Sequence, residues 1–79
     1  MPTHLVTLYV TRPPNLIDAE LIDLFRQAIE RARCFPIEIT VRGMVIDADA
    51  DSLPFLELAL RAKLEAQGGS LHGMTVRSI

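Results

Sequence analysis

A chain of 79 residues with 49% apolar and 23% charged side chains has enough apolar surface to fold and room for one core, which excludes disorder and a second domain. The formal net charge of −2 lacks the basic excess of a nucleic-acid binder. The single cysteine, Cys34, excludes an intramolecular disulfide, and no stretch approaches the ~18 apolar residues of a membrane span. Met1-Pro2-Thr3-His4 has no basic segment leading into an apolar run, so no signal peptide is expected and a reducing, cytoplasmic location is.

Residues 5–10 alternate, with Val6, Leu8 and Val10 on one side and Leu5, Thr7 and Tyr9 on the other, which predicts a half-buried strand. Pro13-Pro14 stops it. Asn15 is the expected cap of the helix that follows, with Asp18 and Glu20 in its first turn. Its apolar stripe is Ile17, Leu21, Leu24, Phe25, Ala28 and Ala32, widened by Ile22 and Ile29, and Pro36 ends it near Arg33.

Two further alternating runs over residues 36–49 predict a hairpin. Ile37, Ile39 and Val41 form one apolar side and Met44, Ile46 and Ala48 the other, with Arg42-Gly43 as the expected reversal. Asp51 or Ser52 is expected to cap the second helix, with Pro54 in its first turn, and Gly68-Gly69 to stop it after about Gln67. A last strand over about 71–78 carries Met74 and Val76. Leu71 is out of phase with them, which places a bulge near Gly73.

The predicted order is β-α-β-β-α-β, an α+β domain spanning 1–79. A single four-stranded sheet with both helices on one face satisfies it, in a ferredoxin-like or related open-faced sandwich. Strand order stays open.

Candidate chemistry is sparse. Asp47, Asp49 and Asp51 place carboxylates at a strand-to-helix corner where a hard cation could bind, but Ser52 and Leu58 occupy the glycine and glutamate places of a calcium loop. Negative charge at a helix start is stabilising without any metal. His4 and His72 are in phase with the apolar faces of their strands unless a bulge intervenes, and antiparallel strands set them at opposite ends as rim residues. Cys34 reads as a structural thiol. On the outer sheet face, Thr7, Tyr9, Thr40, Arg42, Thr75 and Arg77 offer one aromatic and little positive charge, so RNA binding there is a lesser alternative.

The second helix is the most informative element. Glu57, Arg61 and Glu65 share one narrow polar stripe. Leu53, Leu56, Ala59, Leu60 and Leu64 cover one flank, and Phe55, Leu58, Ala62 and Ala66 the other, an arc about twice the ~100° of an ordinary surface helix. Ala59 and Ala62 would permit close approach of the first helix. The second flank either packs inside the protomer or faces a partner.

From Leu16 to Val76 the pattern resembles a STAS domain, in which an Asp-Ser pair opening a helix, here Asp51-Ser52, carries a phosphoacceptor serine. Leu53-Pro54 follows where that family has small residues and glycine, and the gap from Gly43 to Asp51 is longer. The element order and Thr11-Arg12-Pro13 resemble a phosphocarrier protein of the HPr type, yet Val10 stands at the histidine position. The leading expectation is a non-catalytic protein-interaction or regulatory module that self-associates or binds a protein through Phe55, Leu58, Ala62 and Ala66, with no cofactor. The alternative is a divalent-metal or phosphoryl-handling protein using Asp47, Asp49, Asp51 and Ser52.

Overall fold

A computed structural model describes residues 1–79. The elements are β1 (Thr3–Thr11), α1 (Asp18–Arg31), β2 (Phe35–Thr40), β3 (Gly43–Asp47), a short 3₁₀ turn (Ala50–Ser52), α2 (Leu53–Ala66) and β4 (Ser70–Ser78). All strand pairs are antiparallel, in the order β2-β3-β1-β4. Each helix therefore crosses over a strand that lies between the two it connects. This is the split βαβ arrangement of a ferredoxin-like open-faced sandwich.

Alternation along β1 assigns the faces. Val6 and Leu8 are buried beneath the helices with Met44 and Ile46 of β3, whereas Leu5 and Tyr9 are exposed on the open side. Leu21, Leu24, Phe25, Ala28 and Ile29 of α1 and Leu56, Leu60 and Leu64 of α2 close the same core. Ile17 lies outside it: it is exposed and precedes the helix, and its backbone N–H donates to Glu20 Oε1 at 3.1 Å. Asn15 does not cap. It adopts a left-handed backbone (φ 67°) in the preceding turn, a conformation that its short polar side chain tolerates.

Both helices end in the same way. At α1, Cys34 N donates to Ile29 O and Arg33 N to Glu30 O, with Arg33 at φ 60°. At α2, Gly69 N donates to Leu64 O and Gly68 N to Glu65 O, with Gly68 at φ +87°. These are Schellman closures, and glycine is the residue they favour. Arg33→Gly is therefore expected to stabilise the domain by about 1 kcal/mol, the cost of a side chain in the left-handed region. An unchanged or lower urea midpoint would count against that account.

The hairpin turns one residue earlier than expected. Thr40 pairs with Gly43, so Val41 and Arg42 form the reversal, and Thr40 Oγ1 accepts from Arg42 N and donates to Gly43 O, both at 3.2 Å. Gly43 serves packing instead: a Cβ there would lie 2.1 Å from Val6 O. Gly69 is similarly crowded, 2.6 Å from Thr11 O and 2.8 Å from Pro13, so the loop after β1 locks against the entry to β4.

Candidate functional site

Helix α2 divides its apolar residues between two environments. Leu56, Leu60 and Leu64, spaced by four, are fully buried, and Leu53 and Ala59 are half-buried beside them. Phe55 and Leu58 are 64% and 61% exposed, and Ala62 and Ala66 are exposed with them. Packing against α1 thus absorbs Ala59 but leaves Ala62 outside. The exposed flank forms one wall of an open groove of about 470 Å³, closed on the α1 side by Arg31, Ala59 and Lys63.

Hydrogen bonds orient the two edges of this flank. Lys63 Nζ donates to Gln27 Oε1 of α1 at 3.1 Å, which fixes the α1 side. Arg61 Nη1 donates to Leu71 O at 2.8 Å, which turns the Glu57–Arg61–Glu65 stripe towards β4. The apolar strip therefore runs between Arg31 and Lys63 on the α1 side and the mixed-charge stripe of Glu57, Arg61 and Glu65 on the other. The ion pairs within the protomer are Arg12–Asp18 and Arg26–Asp23, and none of these five side chains belongs to either.

The other candidates do not assemble. Asp47 lies opposite Thr3 on the open face and accepts from its Oγ1 at 2.5 Å. Asp49 precedes the 3₁₀ turn, where its carbonyl accepts from Ser52 N, and Asp51 is exposed. Ser52 stands at the N-cap position of α2, but as the last residue of the 3₁₀ turn its backbone is already helical (φ −82°, ψ −20°), and neither it nor Asp51 caps through its side chain. No group of three His, Cys, Asp or Glu side chains converges anywhere in the fold.

The histidines do sit at opposite ends of the sheet: His4 pairs with Ser78, and His72 lies beside Thr11. Only His4 stays on the helix side. It is buried, not a rim residue, and its Nε2–H donates to Ala48 O at 3.0 Å, which leaves Nδ1 without a partner. A register shift between Tyr9 and Val10 pairs them with Gly73 and Leu71, so His72 is the inserted residue and turns outward. That shift is the bulge expected near Gly73. Burial, with Asp49 adding to it, raises the Cys34 thiol above its ordinary pKa, and the group stays protonated.

On the open face, Phe35 is a second exposed aromatic that the periodicity did not reveal, since it opens β2 before the alternation begins. It lies across from Asp47, and hence Thr3, whereas Tyr9 is six residues further along β1, about 20 Å away. The two rings form no common stacking platform. No helix is long and apolar enough to cross a membrane. The chain matches no protein-family model, and no curated protein or solved structure is significantly similar to it.

Proposed function

We propose that this domain is a non-catalytic interaction module that associates with a second copy of itself through the outward flank of α2. The observation carrying this reading is the exposure of Phe55 and Leu58 beside Ala62 and Ala66 on a helix whose opposite face already fills the core. A contiguous apolar surface of this kind marks an interaction site more often than scattered exposed residues do. A second copy fits because the charged side chains flanking the strip, Arg31 and Lys63 on one side and Glu57, Arg61 and Glu65 on the other, form no ion pair within the protomer. Association also widens the thin stability margin of a domain this small.

Sedimentation tests the reading. The wild-type chain is expected to form a dimer at micromolar concentration, and Leu58→Glu a folded monomer, because the new carboxylate is solvated when the protomer is alone. Loss of folding in Leu58→Glu would place that flank inside the protomer. A wild-type chain that stays monomeric at millimolar concentration would eliminate self-association.

A further inference from the structure

We infer that the free edge of β4 is a separate interface, on which residues 74–78 pair antiparallel with the same residues of another copy about a twofold axis at Val76. This contact does not rest on the α2 association proposed above. The hydrogen-bonding direction of the main chain fixes which groups are free. Ile79 N donates to Thr3 O, whereas Ala48 N donates to Pro2 O and Leu8 N to Arg42 O. The main chain of odd-numbered β1 residues therefore bonds β4, and that of even-numbered ones bonds β3. Through the register Leu5–Arg77, Thr7–Thr75 and Tyr9–Gly73, β1 satisfies Gly73, Thr75 and Arg77. Met74, Val76 and Ser78 direct their N–H and C=O groups away from the sheet, where no other element bonds them.

The rest of the sheet's perimeter is closed to such pairing. Before the β4 bulge, Leu71 O already accepts from Arg61 Nη1. The opposite edge, β2, contains Pro36, which has no N–H, and a register shift between Pro36 and Glu38. Proline and bulges are devices that keep an edge strand from pairing, and residues 74–78 contain neither. Addition of β4 to a copy's β2 is thereby blocked, which leaves β4 on β4. A centre at Val76 engages every outward residue of the segment, pairing Val76 with its copy and Met74 with the copy's Ser78. A centre at Thr75 sets Ser78 against the bulge, and one at Arg77 opposes that charge to itself. With Val76 at the centre, Arg77 lies across from Thr75. The Val76 side chain, on the same face as buried Val6 yet 38% exposed, then closes on its copy.

Sedimentation and residue-resolved amide exchange test the contact in Leu58→Glu, which removes the α2 association and leaves β4 intact. This variant is expected to be monomeric at about 10 μM and to dimerise towards about 1 mM, the weak association of a small contact. Over that range exchange is expected to slow about twofold or more at Met74, Val76 and Ser78, while β1 keeps Thr75 and Arg77 protected throughout. The same alternation is expected in the wild-type chain, which keeps the test independent of how Leu58→Glu folds. With both contacts intact, the wild type grows beyond a dimer at the higher concentration. Val76→Pro deletes an outward N–H and no bond of the protomer, and is expected to abolish the β4 contact with the fold retained. Val76→Lys sets like charges across the axis and is expected to do the same without constraining the backbone. A Leu58→Glu chain that stays monomeric at the higher concentration, or that dimerises equally well with Val76→Lys added, overturns the β4 contact and leaves the α2 reading standing. Wild-type dimerisation that Val76→Lys abolishes and Leu58→Glu leaves unchanged supports the β4 contact and overturns the α2 one.

Discussion

Gly43→Ala is expected to cost about 3 kcal/mol or more, among the larger effects of a single substitution. The added methyl would sit 2.1 Å from Val6 O and 3.2 Å from Thr7 Cα. Both obstacles are backbone atoms of the central strand, so no side chain can rotate away. Relief requires parting β3 from β1, which breaks the ladder that joins the β2–β3 hairpin to the rest of the sheet. The backbone at Gly43 is not left-handed, so the effect comes from space alone. A fall in the urea midpoint with an unchanged slope would show it. A variant within 1 kcal/mol of the parent would mean that the hairpin can slide outward at little cost.

Leu60→Ala and Leu58→Ala, two residues apart on one helix, are expected to differ in their effect on stability by about 2.5 kcal/mol. Leu60 is fully buried between the sheet and α1, and truncating it removes apolar contact and leaves a cavity, for a loss of about 3 kcal/mol. Leu58 stands in solvent in the isolated protomer, and its truncation is expected to fall within about 0.5 kcal/mol under dilute conditions. Equal losses, measured by denaturation below the dimerisation range, would show that α2 is rotated from the orientation described.

The division of α2 was legible in the sequence because angular position on a helix depends only on residue spacing. Counting at about 100° per residue separates Leu56, Leu60 and Leu64 from Phe55, Leu58 and Ala62 before any partner element is known. Which flank would be covered was not legible, since that depends on where α1 lies. For the same reason Arg31, far away in sequence, could not be assigned to the groove. Alternation placed Val6, Leu8, Met44 and Ile46 inside, but alternation fails where a strand gains a residue, and the β4 bulge turned His72 outward. Neither Asn15 nor Asp51-Ser52 supplies a capping side chain, although Ser52 does hold the N-cap position of α2. A side chain suited to capping does so only if the backbone brings a free N–H to it. At the first site the chain spends Asn15 on a left-handed turn, and at the second it inserts a 3₁₀ turn. The same corner keeps Asp47, Asp49 and Asp51 from gathering, because Asp47 belongs to the open face of the sheet and is held there by Thr3.

The pairing of the first strand with the last has a mechanical consequence. His4 lies across from Ser78, and Ile79 N donates to Thr3 O at 3.0 Å, so β1 begins and β4 finishes at one end of the sheet. Ladder bonds in an antiparallel pair run perpendicular to the strands. A pull on those two ends therefore loads the rungs in sequence, starting at Thr3, and not all together as shear along the strands would. The sheet peels open at low force from that corner, and the first core residues uncovered are His4 and Val6.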